Sequence, residues 1–185
     1  MINTVFQETR DKMARSIASL EKELTRVRTG RASLSMLDGV KVDYYGTATP
    51  LNQMASIAVP ESRLLTVQPW DVTVLKSVEK AILKANLGLT PSNDGKIIRI
   101  SIPPLTEERR KEIVKGVNQT CEDYKVAIRN VRRDANDDLK SFQKEGEISE
   151  DDNFKAQKKI QEITDEHVNK IDALYEAKEK EILEF

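Results

Sequence analysis

Residues 106–146 read TEERRKEIVKGVNQTCEDYKVAIRNVRRDANDDLKSFQKEG, and this stretch decides the fold class. Ile113, Val117, Tyr124, Ile128, Val131, Leu139 and Phe142 recur at helical spacing, so they share one face of a long amphipathic helix. Thr106 is placed to cap its start. Glu107 and Glu108 stand in the first turn, where the helix dipole favours negative charge. Gly146 marks its end. At 1.5 Å per residue such a helix is about 55 Å long, and its apolar stripe needs partners.

Two further segments supply them. Upstream, Ile2, Phe6, Met13, Ile17, Leu20, Leu24 and Val27 repeat the spacing in a helix that is expected to end at Thr29-Gly30. Downstream, Ser149-Glu150-Asp151-Asp152 resembles a capping box with Asp in place of Glu. The helix it opens meets no Gly or Pro up to Phe185, and its face holds Ile160, Ile163, Ile171, Leu174 and Ile182. Three such stripes predict an elongated three-helix bundle.

Between the first two helices the chain changes character. Val40 to Tyr44 alternates like a half-buried strand, and Tyr45-Gly46-Thr47 turns. Ile57 to Val59, Leu64 to Val67 and Ile97 to Ile100 are further strand candidates. Val72 to Ala85 reads as a helix with Asp71 as its cap, closed by Asn86-Leu87-Gly88, and Asn93-Asp94-Gly95 is a turn signal. The expected fold class is therefore α+β: a bundle from residues 1–29 and 106–185 with a small β/α/β domain, residues 30–105, inserted into it. The chain would cross between the domains twice, at Thr29, Gly30 and Arg31 and at Pro103, Pro104 and Leu105. A double linker of this kind permits hinge rotation and limits free tumbling.

Composition narrows the function. The 185 residues are 38% hydrophobic, 33% charged and 5% aromatic, with a net charge of −1. That charge density suits long exposed helices. A single cysteine, Cys121, excludes an internal disulfide and a cysteine metal cluster, and makes the cytoplasm the natural compartment. The N-terminus shows no signal peptide pattern, and no apolar run approaches the ~20 residues of a membrane span. No glycine-rich phosphate loop is present. The lone histidine, His167, falls among apolar positions and lacks the companions nucleophilic catalysis needs. No enzyme activity, cofactor or metal is expected. Trp70 and the Tyr44-Tyr45 pair read either as a contact surface or as packing at the rim of the small domain.

The near-neutral net charge hides a segregation. On a wheel of 100° per residue centred on Arg129, Lys111, Lys115, Lys125, Arg132, Arg133 and Lys140 all fall within about 60°. Between Arg110 and Lys140 the one acidic residue in that sector is Glu122; the apolar residues occupy a separate sector, with Glu112, Asp123, Asp134, Asp137 and Asp138 between the two. One reading is a stripe that tracks phosphates, because cations gain by displacing counterions and Arg presents a planar fork. The other is a solvated helix face with carboxylates pairing locally. Arg28 and Arg31 form a second cationic group, which either joins such a surface or offsets the dipole at the end of the first helix. A bundle that recruits proteins without touching RNA is the rival class.

Val27-Arg28-Thr29-Gly30-Arg31-Ala32-Ser33, Tyr44-Tyr45-Gly46-Thr47 with Thr49-Pro50-Leu51, and Val78-Glu79-Lys80-Ala81-Ile82 resemble the bacterial and organellar ribosome recycling factor family. So do Pro103-Pro104-Leu105-Thr106-Glu107-Glu108-Arg109-Arg110-Lys111, Arg129-Asn130-Val131-Arg132-Arg133-Asp134-Ala135-Asn136 and Glu147-Ile148-Ser149-Glu150-Asp151-Asp152. The motifs run in order over the whole chain. The resemblance implies an L-shaped, tRNA-sized monomer with a hinge between its domains. It implies binding to the large ribosomal subunit and its rRNA, and subunit splitting with GTP-bound elongation factor G, which performs the hydrolysis. It places Arg129, Arg132, Arg133, Arg110, Lys111, Lys125, Arg28 and Arg31 against rRNA.

Overall fold

The computed structural model describes residues 1–184 and divides into two units, one formed by Met1–Val27 with Arg110–Glu184 and the other by Arg28–Arg109. Both are built as the α+β reading expects, long helices in a bundle and a small β-rich domain.

In the first unit α1 (Ile2–Thr25), α3 (Glu107–Lys144) and α4 (Glu150–Leu183) pool their apolar stripes. The shared core holds Met13 and Leu20 from α1, Ile128 and Leu139 from α3, and Ile160, Ile163 and Ile171 from α4, all without solvent exposure. Helix α1 stops four residues short of the expected Thr29. The Thr25 hydroxyl donates to the Lys22 carbonyl and the Arg26 N–H to the Glu23 carbonyl, which tightens and closes the last turn. The link from α3 to α4 is fully capped. Gly146 adopts φ +78° while the Glu147 N–H donates to the Phe142 carbonyl and the Gly146 N–H to the Gln143 carbonyl, a Schellman closure. Ser149 then caps α4: its hydroxyl accepts from the Asp152 N–H at 3.1 Å and donates to the Asp152 carboxylate at 2.7 Å. Hydrogen bonds to the carboxylate from the Ser149 hydroxyl, then from the Ser149 backbone N–H, hold the Asp152 carboxyl below its ordinary pKa. The last residue of the expected helix, Phe185, lies outside the described residues.

His167 is buried in α4 with Nδ1 on the Ile163 carbonyl at 2.7 Å, and Cys121 is buried in α3. Among the described residues no group of three metal-ligating side chains assembles, and no helix is long and apolar enough to cross a membrane.

The second unit carries two antiparallel sheets. Strands β1 (Lys41–Tyr44) and β2 (Thr47–Pro50) form a hairpin. Its two-residue turn needs positive φ at both positions, met by Tyr45 at 49° and Gly46 at 85°. Strands β3 (Ala55–Glu61), β4 (Leu64–Pro69), β5 (Thr90–Asn93) and β6 (Ile98–Ser101) form the second sheet in the order β3-β4-β6-β5. Helix α2 (Leu75–Lys84) follows one 3-10 turn, which Asp71 opens by accepting the Thr73 N–H at 3.0 Å. Its Leu75, Val78 and Ile82 join Val42, Leu65, Val67, Ile98 and Ile100 in the core. Strands β2 and β5 were not expected from sequence. Each contains a proline, Pro50 or Pro91, and each pairs on one side only, at a sheet edge where proline is tolerated.

The turn before β6 is held by charge. Asp94 accepts the N–H groups of Ile97 at 2.9 Å and Lys96 at 3.0 Å, and its other oxygen meets Arg99 at 2.7 Å. The Ile97 and Lys96 N–H groups, followed by Arg99, lower the carboxyl pKa from 3.8 to about 2. A depressed carboxyl stabilises the fold above its unfolded pKa and loses that contribution as pH falls through the folded value. The melting-temperature gap between the native chain and Asp94→Ala is therefore expected at neutral pH and should shrink between pH 3.8 and about 2. Melts across that interval check this, and a gap constant with pH would contradict it.

Candidate nucleic-acid interface

The face of α3 opposite its core carries the cations. Val117, Cys121, Ile128, Ala135 and Leu139 point inward, at steps that keep them on one stripe. The helix thereby turns Lys111, Lys115, Arg129, Arg133 and Lys140 outward, and all five are exposed. Arg129 and Arg133, one turn apart, have no hydrogen-bond or ion-pair partner among the described residues. Lys140 meets Asp137 loosely, at 3.8 Å. Two unpaired guanidinium forks on one rigid helix present donors in the geometry that phosphate oxygens accept.

One edge of the sector behaves differently from the sequence reading. Lys125 does not stand out with the others. Its side chain is only 15% exposed and its ammonium bridges Asp172 of α4 at 2.5 Å and Glu122 at 2.9 Å. Those carboxylates, Asp172 first, raise its pKa. Arg132, on the same edge, is half-buried and donates to the Gln161 amide oxygen of α4 at 3.0 Å. The helical wheel places both at about 40–60° from Arg129 on the same side, and that side turns toward α4, so long stems fold back onto the neighbouring helix.

Lys125 is accordingly a clamp within the bundle. Lys125→Ala is expected to destabilise the fold by about 1 kcal/mol, as for a well-formed, partly screened ion pair. Because pairing raises the ammonium pKa, that stability is fully present at neutral pH and fades only at high pH, as the raised value is passed. Denaturant unfolding at neutral pH reads the loss. An unaltered midpoint would return Lys125 to the outward set.

The arginines expected near the crossings are also partly committed. Arg110 is half-buried and its Nη1 approaches the Leu183 carbonyl at 3.5 Å, so it serves the C-terminus of α4 and is not turned outward. Its Nε is buried with no hydrogen-bond partner among the described residues. The Arg28 guanidinium donates to the Leu87 carbonyl, which fastens the segment after α1 to the loop that closes α2. Arg31 is exposed. Thr29 and Gly30 are buried, with Gly30 at φ +85°, while Pro103 and Pro104 are exposed and Leu105 is half-buried. Both chain segments are stitched to one turn of the small unit: the Ala32 N–H donates to the Ser62 carbonyl at 2.7 Å and the Ile102 N–H to the Arg63 carbonyl at 2.8 Å. Sequence reasoning did not find that shared anchor, which joins residues far apart in the chain.

Residues 20–183 match the family model described as ribosome recycling factor. The ribosome-recycling factor of Desulforapulum autotrophicum is 71% identical over 184 residues, covering 100% of both chains. That of Desulfatibacillum aliphaticivorans is 64% identical over 185 residues, again with 100% of both covered. A solved structure described as the solution structure of the ribosome recycling factor superposes with a TM-score of 0.78 at 37% identity, covering 100% of this chain and 98% of that one. A second similar chain comes from a structure giving models for the T. thermophilus ribosome recycling factor and the E. coli elongation factor G bound to the E. coli post-termination complex. Its TM-score is 0.66 at 50% identity, with 99% of each chain covered.

Proposed function

Because this chain belongs to the ribosome recycling factor family, we propose that it binds the large ribosomal subunit of post-termination complexes and, with elongation factor G and GTP, parts the subunits and frees ribosomes from mRNA. The observation that carries the binding half is the outward cationic face of α3, with Arg129 and Arg133 unpaired among the described residues. Structured RNA is recognised largely through shape and backbone contacts, and a long helix with cations along one side suits that mode. Arg129, Arg132 and Arg133 grip rRNA phosphates, Lys111 extends the track, and Arg28 and Arg31 lie against rRNA beside the crossing. Arg132 reaches phosphate by exchanging its single neutral contact with Gln161 for a charge-assisted one.

The chain acts as a monomer in the cytoplasm, and GTP hydrolysis resides in elongation factor G. Support for a non-enzymatic role is that His167 is buried on a backbone carbonyl and the Cys121 thiol is buried, which pushes its pKa up. The residues around the two crossings, Thr29 to Arg31 and Pro103 to Leu105, form the hinge through which elongation factor G moves one unit against the other.

The test is subunit splitting by the purified chain with elongation factor G and GTP, followed by light scattering. Splitting is expected only when all three are present. A disulfide engineered to tie the two units together is expected to leave large-subunit binding intact and stop splitting, with splitting restored on reduction. Full splitting by the tied form would contradict the hinge, and no splitting by the native chain would contradict the function.

A further inference from the structure

The small unit holds a second cationic feature that the α3 face does not include. Helix α2 buries Leu75, Val78 and Ile82, which leaves Ser77, Lys80 and Lys84 on an adjoining face at helical spacing. That face and the β1–β2 hairpin border an open groove of about 720 Å³, whose far wall carries Lys41 and Asp43 of β1. Lys41, Lys80 and Lys84 are exposed and none has an ion-pair or hydrogen-bond partner among the described residues. The one carboxylate of the lining, Asp43, is occupied by the Gly46 N–H at 2.9 Å. Three unpaired cations from two elements thus face one groove, with a single carboxylate to offset them.

We propose that this groove holds the phosphate backbone of an RNA strand. The rest of its lining is Gly, Ala and Val, so a chain can approach the protein backbone closely but finds no deep apolar pocket in which a peptide would anchor a large side chain. No aromatic residue lines it, which removes the stacking platforms that hold bases. The cations are all lysines, compact point charges that hold phosphate without the bidentate fork that reads a guanine edge. The groove therefore binds RNA through its backbone and without regard to sequence. Its residues belong to the small unit alone, so the inference stands apart from the α3 face.

The experiment uses the full chain and single-stranded oligouridylate. Acetylation of individual lysines by an amine-reactive ester is followed by mass spectrometry as oligouridylate is added. Lys41, Lys80 and Lys84 are expected to become protected, while Lys76, exposed on α2 but outside the groove, is not. The triple variant Lys41→Gln, Lys80→Gln, Lys84→Gln is expected to flatten the slope of log affinity against log salt by about 2, near 0.7 per lost phosphate contact. The same drop is expected in a chain that also carries Arg129→Ala and Arg133→Ala, which separates this groove from the α3 face. Equal acetylation of all four lysines would overturn the proposal, with or without a folded triple variant. So would protection by polyglutamate as strong as that by RNA, which would make an acidic polypeptide the occupant.

Discussion

Replacing Arg129, Arg132 and Arg133 together by alanine is expected to weaken binding to the large ribosomal subunit about a thousandfold. In the proposed binding mode each arginine supplies a charge-assisted contact worth about 1.5 kcal/mol or slightly less after solvation is counted, and three such losses reach about 4 kcal/mol. The same variant should fold almost as well as the native chain. Arg129 and Arg133 are exposed and have no hydrogen-bond or ion-pair partner among the described residues, and Arg132 gives up one neutral hydrogen bond to Gln161. Exposed substitutions of this kind shift stability by about 0.5 kcal/mol each. Equilibrium binding to isolated large subunits, set beside urea unfolding of the same preparation, reads both quantities. Weak binding that merely tracks a lost melting transition would reassign these arginines to structure.

The second large effect lies one residue away and has the opposite character. Ile128→Ala is expected to destabilise the chain by about 3–4 kcal/mol, because the removed methyl groups leave a cavity that the bundle only partly fills. Ile128 has no solvent exposure and belongs to the core shared by α1, α3 and α4. In urea the unfolding midpoint should fall sharply, while affinity per folded molecule stays at the native level. A midpoint close to native would mean that the α3 stripe is packed less tightly than its burial indicates. The pair Ile128 and Arg129 shows how a step of 100° separates a buried position from an exposed one on one helix.

That separation is why so much of the molecule was readable from its sequence. The helical period placed Ile128 and Leu139 inside and Arg129 and Arg133 outside, and the structure agrees. Capping chemistry is local, so Ser149, Asp71 and Gly146 announced their turns. The edge strands β2 and β5 were hidden because proline reads as a breaker unless one knows that a strand has only one neighbour.

The partners of Lys125 and Arg132 were hidden from the wheel for a different reason. It gives an angle about the axis of α3 but not which edge α4 will cover, and Asp172 lies 47 residues farther along the chain. Arg28 is a stronger case, since its acceptor, the Leu87 carbonyl, is 59 residues away. The groove between α2 and the β1–β2 hairpin is likewise a product of tertiary packing, with Lys41 brought near Lys80 and Lys84 by elements that no local pattern pairs.

The most direct measurement is the affinity of the chain for large ribosomal subunits across a salt series, for the native protein and for the triple arginine variant. If the α3 face neutralises about six phosphates, as proposed, the native slope of log affinity against log salt should be near −5, and the variant's should be shallower by about 3. A native slope near zero, or one that the three substitutions leave unchanged, would contradict the claim that this face holds the ribosome through its RNA backbone.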